Sequence, residues 1–138
     1  MSNQHSPVGI LDSGIGGFSV VKQVQRLLPE ETVLYFGDGA HIPYGNHPQE
    51  AIVNMARYMF RFMEEREVKA LLVACNTISC VLDRCADVVS CPVFSAVQAG
   101  AEAAVPRRVH QEPRRAPARY FPRESYRPVI RAGWFSGP

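Results

Sequence analysis

Residues 8–39 read VGILDSGIGGFSVVKQVQRLLPEETVLYFGDG, and the pattern of this stretch decides the fold. The apolar run Val8–Leu11 ends in a turn signal, which predicts a short strand. Apolar side chains then recur at helical spacing until Pro29 ends the predicted helix. The β-branched and aromatic run Thr32–Phe36 predicts a second strand. The stretch is therefore expected to fold as a strand–helix–strand unit.

The same alternation continues toward residue 105. A long amphipathic helix is predicted over Pro48–Arg66, and it is followed by a buried strand over Lys69–Ala74. The apolar face of that helix is expected to carry Ile52, Met55, Met59, Phe62 and Met63. Later elements are predicted as a helix capped by Asn76 or Thr77 and reaching about Val89, a strand over Pro92–Val97, and the start of a helix over Gly100–Val105.

This order of elements predicts an α/β fold, with three layers around a mainly parallel sheet of about four strands. Ligands of such sheets bind beyond the carboxyl ends of the strands. Three turns are expected at that edge, namely Asp12–Gly17, Gly37–Gly45 and Cys75–Thr77. These turns are therefore the places to look for functional residues.

Charge and proline content change together near Pro106. Residues 1–105 contain 7 Lys or Arg and 11 Asp or Glu, whereas residues 106–138 contain 8 Arg, 2 Glu and 6 of the 11 prolines. Frequent proline prevents a regular helix and a central strand. We predict an α/β domain at 7–105 and an irregular Arg/Pro-rich tail at 106–138 that is disordered or loosely attached. The tail carries no nucleic-acid motif, so no nucleic-acid partner is expected.

The sequence also indicates the compartment and the kinds of partner to expect. No apolar run approaches the roughly 18 residues that span a bilayer, so no membrane partner is expected. The N-terminal stretch lacks the pattern of a signal peptide, and four cysteines without such a signal favour reduced thiols in the cytoplasm. The cysteines and histidines lack metal-ligand spacing, and no metal is expected. We assign Cys80, Cys85 and Cys91 to packing, and expect Cys80 and Cys85 to face the core from the same helix.

The turn Cys75–Thr77 is the strongest candidate for chemistry, because it follows a predicted buried strand and opens a predicted helix. A helix N-terminus favours the thiolate form of a cysteine, which can act as a nucleophile or as a general base. Asn76 and Thr77 add polar donors beside it. The alternative is a buried structural cysteine next to a capping threonine.

The other two turns can bind an anion. In the first, the glycines allow a ligand to approach the backbone, and Asp12 can orient a polar group or act on a proton. The alternative there is a Gly-rich connection in which Asp12 and Ser13 satisfy backbone donors. In the second, the Tyr44 hydroxyl and the Gly45 amide can bind a carboxylate, and the alternative is a tight turn packed by the aromatic ring.

Three segments together resemble the glutamate racemase family, within the wider aspartate/glutamate racemases. They are GILDSGIGG at 9–17, YFGDGAHIPYG at 35–45 and LLVACNTIS at 71–79. The resemblance covers about residues 7–105 and implies one of two similar α/β racemase domains. It also implies an enzyme that interconverts L- and D-glutamate without a cofactor, supplying D-glutamate for peptidoglycan, and that can form a homodimer at full length.

The family mechanism uses two cysteines on opposite sides of the substrate Cα. One thiolate removes the α-proton, and the other thiol returns a proton from the far side. By this resemblance Cys75 matches the first catalytic cysteine, and Asp12 lies near it as a further catalytic group. The substrate-binding positions of the family are matched by Asp12, Ser13, Tyr44, Gly45, Asn76 and Thr77.

The sequence departs from the family pattern mainly in its second half. Gly39 and His41 stand where Thr and Arg are usual, and Gln98-Ala99 stands where Glu-Pro is usual. Family chains are about twice this length, and their second domain carries the other cysteine in a Cys-Thr-His motif that does not occur here. The chain is therefore expected to supply one base of two and to be inactive alone. Two alternatives stay open: an aspartate or other acidic-substrate racemase or decarboxylase, and a non-catalytic half-domain that binds a ligand or a partner.

The tail has a second interpretation. Codons for VHQEPRRAP at 109–117 can be chosen so that, read one base later, they encode FTRNRVGLL, which resembles the next strand of the family. Sequence that is rich in Arg and Pro and free of Lys is also typical of a shifted frame in GC-rich DNA. We therefore hypothesise a frameshift near residues 105–110, with an out-of-frame tail.

We predict that the DNA of this locus, read in all frames from codon 95 onward, encodes a second α/β domain with Cys-Thr-His in a shifted frame. Sequencing of the locus checks this directly. If no frame contains that motif, the tail is genuine and this chain cannot use the two-thiol mechanism. The alternative of a non-catalytic half-domain that binds a ligand or a partner then gains support.

Overall fold

The computed structural model describes residues 4–104, and within them four strands form one sheet that helices flank. The strands are β1 (Val8–Asp12), β2 (Val33–Gly37), β3 (Ala70–Val73) and β4 (Val93–Ser95). The helices are α1 (Phe18–Leu27), α2 (Gln49–Glu65), α3 (Asn76–Ser79) and α4 (Ala96–Ala104), and single 3₁₀ turns lie at Tyr44–Asn46, Leu82–Arg84 and Ala86–Val88.

All strand pairs are parallel, in the order β2-β1-β3-β4. Val8 of β1 lies opposite Val33 on one side and Ala70 on the other. All five residues of β1 are buried, as expected for a central strand that is covered on both faces. The parallel four-stranded sheet with its flanking helices confirms the predicted α/β fold.

The strand order reverses direction between β1 and β3. The chain first moves outward from β1 to β2, and then returns past β1 to β3 and β4. In open α/β sheets, the crevice beyond the strand ends at such a reversal is the usual ligand site. Asp12 ends β1 and Cys75 follows β3 within two residues, so the fold brings two of the predicted turns to this point.

Helix α2 supplies much of the core, but its buried face differs in part from the predicted one. Met55 and Phe62 are only half-buried, because they lie at the margin of the buried stripe. Phe62 packs there edge-on against Phe36, with ring centroids 4.9 Å apart, and lies beneath the Arg66 guanidinium. The side chains that α2 buries are Ile52, Val53, Ala56, Met59, Phe60 and Met63.

The prediction of a single long helix after Cys75 is wrong. Helix α3 is one turn, and its N-cap is Cys75 itself rather than Asn76 or Thr77. Two 3₁₀ turns replace the rest of the predicted helix up to Val89. The short turns nevertheless keep one apolar face at helical spacing, which explains why the sequence pattern resembles that of a helix. The buried members of that face are Ile78, Val81, Leu82 and Cys85.

The cysteines beyond the candidate site are placed differently from one another. Cys85 is fully buried, which confirms its assignment to packing, and burial raises the pKa of its thiol to about 11. Cys91 is half-buried, and burial likewise raises its thiol pKa to about 11. The core position predicted for Cys80 is wrong, since α3 ends at Ser79 and leaves Cys80 exposed at its C-cap.

Exposed ion pairs attach the 3₁₀ segment, which comprises the turns Leu82–Arg84 and Ala86–Val88, to α2. Arg57 Nη1 lies 2.5 Å from Asp87 Oδ1, and the same nitrogen donates to the Arg84 carbonyl at 2.8 Å. Arg84 in turn donates to Glu50 Oε1 at 2.7 Å. The segment is therefore joined to α2 both by its buried apolar side chains and by charges at the surface.

The last described elements also correct two predicted boundaries. The strand predicted to reach Val97 ends at Ser95, and the helix predicted from Gly100 begins at Ala96. The Ser95 hydroxyl accepts a hydrogen bond from the Gln98 amide at 3.4 Å, an arrangement typical of a helix N-cap. The predicted tail at 106–138 lies outside the described residues. No helix within residues 4–104 is long and apolar enough to cross a membrane.

We expect Phe60→Ala to lower the free energy of unfolding by about 3–5 kcal/mol, because Phe60 is fully buried on α2 and its removal leaves a cavity. Urea denaturation measures the change. Tyr58→Ala is the matched control, since this aromatic side chain of the same helix is 66% exposed and should cost about 1 kcal/mol or less. Equal losses for the two variants would contradict the described core.

Candidate active site

Two turns meet where the strand order reverses. The Ala74 amide donates to the Leu11 carbonyl at 2.8 Å, which extends the pairing of β3 with β1 to the start of both turns. Beyond this bond the Cys75 thiol donates to the Ser13 hydroxyl oxygen, with 3.3 Å between Sγ and Oγ. The structure thus brings Asp12, Ser13 and Cys75 together, as the strand-end rule predicts.

Backbone and hydroxyl contacts fix the position of Cys75, which is 4% exposed. Its Sγ accepts a hydrogen bond from the Ile78 amide at 3.5 Å. Its carbonyl accepts one from the Ser79 hydroxyl at 2.8 Å, and Ser79 Oγ accepts one from the Ser95 hydroxyl at 3.0 Å. When the thiol loses its proton, the Ser13 hydroxyl can donate to the thiolate instead, so the pair can accommodate both protonation states.

The Asp12 side chain is buried to 7% exposure and is held from inside its own turn. Its Oδ2 accepts a hydrogen bond from the Gly17 amide at 2.9 Å. Among residues 4–104 no donor is described for the other oxygen, Oδ1. That oxygen is therefore the one that can accept a hydrogen bond from a ligand.

Tyr35, at the third position of β2, contacts the same turn, although the sequence pattern did not single it out. Its hydroxyl donates to the Gly14 carbonyl at 2.6 Å and lies 3.5 Å from Asp12 Oδ2. Burial, together with the negative charges of Asp12 and Cys75, raises the pKa of Tyr35 to about 12. The phenol therefore stays protonated and donating at neutral pH.

The loop after β2 contains a second phenol. Tyr44 is 2% exposed, and its hydroxyl donates to Asp38 Oδ2 at 2.6 Å. Asp38 also contacts His41 Nδ1 at 2.8 Å. Burial pushes the pKa of Asp38 upward, but the hydrogen bonds from Tyr44 and His41 outweigh it, so the net shift is downward. The ring of Tyr44 is packed in the turn, and the proton of its hydroxyl is used by Asp38 rather than left free for a ligand.

Tyr44 is nevertheless electrostatically part of the same region. Burial raises its pKa well above the usual value, and the charges of Asp38, Cys75 and Asp12 raise it further. Asp38 was likewise not predicted from the sequence. The available signal was its position, because it follows β2 directly in the same way that Asp12 closes β1.

The other predicted binding residues border the turns with less contact. Gly45 is exposed and faces open space, so its backbone can be reached by a ligand. Asn76 is exposed and Thr77 is half-buried at the start of α3. A cavity of about 310 Å³ lies beside Asp38, but neither Cys75 nor Asp12 lines it. Within residues 4–104, no group of three or more His, Cys, Asp or Glu side chains is placed to hold a metal ion.

Comparison with known proteins assigns the chain to a family. The family model described as Asp/Glu/Hydantoin racemase matches residues 18–111. The chain belongs to this racemase family. Solved relatives agree, since the glutamate racemase of Francisella tularensis in complex with D-glutamate superimposes with a TM-score of 0.70 at 39% identity, over 72% of this chain and 39% of that one.

Curated relatives of this racemase-family chain are also glutamate racemases. The protein from Thermus thermophilus is 44% identical over 105 residues, which cover 75% of this chain and 41% of that protein. Glutamate racemase 1 of Caldanaerobacter subterraneus is 38% identical over 103 residues, covering 75% and 38%. The chain thus spans about two fifths of the length of these relatives.

We expect Gly37→Ala to displace the Asp12–Gly17 turn, because a Cβ at Gly37 would lie 2.2 Å from the Gly14 carbonyl oxygen. Such a clash with backbone should cost about 1–3 kcal/mol of stability, measured by urea denaturation. Gly39→Ala is the matched control, since a Cβ there meets no atom within 4 Å. A Gly37→Ala protein as stable as the control would show that the turn does not pack on β2 as described.

Proposed function

We propose that this chain forms one half of a glutamate racemase active site, with Cys75 as one of the two thiols that exchange a proton with the substrate Cα. The observation that carries the proposal is the Cys75–Ser13 hydrogen bond beside the buried Asp12 carboxylate, at the point where the strand order reverses. The D-glutamate complex of a relative supports an acidic amino acid as the substrate.

The proposed chemistry follows from the groups in the two turns. Cys75 as thiolate accepts the α-proton, and the electron pair of the broken C–H bond stays on the substrate carbon. The Ser13 hydroxyl is placed to stabilise the thiolate before transfer. Asp12 Oδ1 is available to accept a hydrogen bond from the substrate ammonium. Loss of the α-proton leaves a negative charge on the substrate, which needs hydrogen-bond donors near the substrate carboxylate. By family resemblance the reaction uses no cofactor.

The substrate carboxylates need several donors, and the chain offers them around the turns. The Gly45 amide is open to a ligand, and Asn76 and Thr77 stand directly after the thiol. Tyr44 is proposed to contribute through its placement beside these groups, because its hydroxyl proton is used by Asp38. Binding through both carboxylates orients the Cα hydrogen toward Cys75.

The reaction needs a second thiol on the far side of the substrate, and we propose that a second domain supplies it in a full-length form. Ile15 is 80% exposed and Ile42 is 56% exposed, and Ile42 lies against Gly14 beside the first turn. Large exposed apolar side chains at this edge fit a surface that another domain covers. The chain alone is therefore proposed to lack useful racemase activity and to be prone to aggregation.

The wider role is also part of the proposal. A full-length form would supply D-glutamate for peptidoglycan, as a monomer or a homodimer. The four cysteines are free thiols, which fits the reducing cytoplasm. Aspartate is the second candidate substrate, because the matching family model is described for Asp, Glu and hydantoin racemases.

Exchange of the α-proton tests the proposal with the chain as it is. In D₂O, the purified 138-residue protein should replace the α-proton of one glutamate enantiomer slowly, and chiral chromatography should detect no useful racemisation. Cys75→Ala should abolish the exchange, because it removes the proton-accepting group. Proton NMR of the Cα–H signal measures the rate, and a parallel incubation with aspartate compares the two substrates.

Cys80→Ala is the control variant, since Cys80 is an exposed thiol five positions further along the chain. It should keep the exchange rate of the parent protein. Exchange that survives Cys75→Ala, or racemisation at a useful rate by the verified chain, would refute the proposal. Glutamate binding without any exchange would favour the alternative of a non-catalytic half-domain.

A further inference from the structure

Tyr35 connects β2 to the turn that holds Asp12. Its hydroxyl donates to the Gly14 carbonyl at 2.6 Å, which is a short bond for two neutral groups. A phenol has one proton, so the 3.5 Å contact with Asp12 Oδ2 is secondary to that bond. The main action of the hydroxyl is therefore on the backbone of the turn.

The Tyr35 ring also occupies space that side chains at two glycines would need. A Cβ at Gly17 would lie 2.9 Å from the ring, and a Cβ at Gly37 would lie 3.0 Å from it. On its exposed side the ring stacks on Phe18, with 4.5 Å between centroids and 21° between planes. The ring thus packs against Gly17 at the end of the turn and against Gly37 of β2, and the hydroxyl holds the middle of the turn.

We propose that Tyr35 is a positioning residue, whose hydroxyl holds the Gly14 carbonyl so that the Asp12–Gly17 turn keeps the Asp12 carboxylate and the Ser13 hydroxyl aligned with the Cys75 thiol. The catalytic consequence of this role rests on the proposed function. The positioning itself does not, because it is a statement about the turn in the absence of substrate.

The contacts within the Asp12–Gly17 turn explain how the Tyr35 hydroxyl can influence the alignment of the Cys75 thiol with its partners. Gly14 lies between Ser13, which accepts from the thiol, and Gly17, whose amide holds Asp12 Oδ2. Releasing the Gly14 carbonyl frees the backbone on both sides of it. The Phe18 ring contact and the two glycine contacts depend on the aromatic ring and would remain in a phenylalanine variant.

Tyr35→Phe tests the proposal, with Tyr58→Phe as the matched control on an exposed tyrosine of α2. In the 138-residue protein, the ¹H–¹⁵N signal of Gly17 reports on the turn, because the amide donates to the Asp12 carboxylate. In Tyr35→Phe we expect this signal to change position and the hydrogen exchange of the Gly17 amide to accelerate about 10-fold or more. The amides of α2 should keep their protection, which separates a local effect from general destabilisation.

A second measurement addresses catalysis. The Cys75-dependent α-proton exchange of glutamate should fall about 10- to 100-fold in Tyr35→Phe and stay unchanged in Tyr58→Phe, because a small misplacement of reacting groups is costly. An unchanged Gly17 signal in Tyr35→Phe would overturn the positioning role. A changed signal with unchanged α-proton exchange would overturn its catalytic consequence.

The two proposals fail in different ways. If the parent protein exchanges no α-proton while Tyr35→Phe still alters the Gly17 signal, the positioning role stands and the proposed function is wrong. If the parent protein exchanges the α-proton and Tyr35→Phe alters neither readout, the proposed function stands and the positioning role is wrong.

Discussion

The hydrogen bond from the Gly17 amide to the buried Asp12 carboxylate is the interaction on which the candidate site depends. β1 is paired on both sides and buried along its whole length, so its last residue places an acidic side chain where water has little access. A buried carboxylate is costly unless donors satisfy it. The turn meets this requirement by folding back on itself, and in doing so it directs Ser13 toward the thiol that follows β3.

The site concentrates negative charge and surrounds it with protonated phenols. Tyr35 lies in β2 and Tyr44 lies in the loop after it, yet the charges of Asp12 and Cys75 raise the pKa of both. Both hydroxyls therefore remain donors over the range in which a thiol titrates, and their donations are directed to the Gly14 carbonyl and the Asp38 carboxylate. The phenols therefore stabilise the geometry of the turns.

The sequence predicted the strands and the meeting of their turns better than it predicted the segment after the thiol. Parallel strands buried on both faces give continuous apolar runs, so β1 and β3 could be located directly. The segment after Cys75 keeps its apolar side chains at helical spacing while its backbone forms separate short turns, and spacing alone cannot distinguish these two structures.

Some contacts of the candidate site lacked a sequence signal of their own. Tyr35 lies inside a strand pattern, where an aromatic residue is expected for packing, and only the closeness of the glycines in space gives its hydroxyl a role. Tyr44 was noted for its hydroxyl, and Asp38 could have been noted for its position after β2, but only the fold shows that the two side chains form a hydrogen bond. Asp12, Ser13 and Cys75 were easier, because each directly ends or follows a central strand.

The ion pairs that join the 3₁₀ segment to α2 have a consequence for how this part of the chain responds to its surroundings. Arg57–Asp87 and Arg84–Glu50 lie at the surface, where an ion pair contributes less to stability at high salt than at low salt. The sheet is joined by backbone hydrogen bonds that salt does not screen in this way. The attachment of this segment to α2 is therefore expected to weaken as salt rises, whereas its buried apolar side chains and the strands that present Asp12 and Cys75 do not share that dependence.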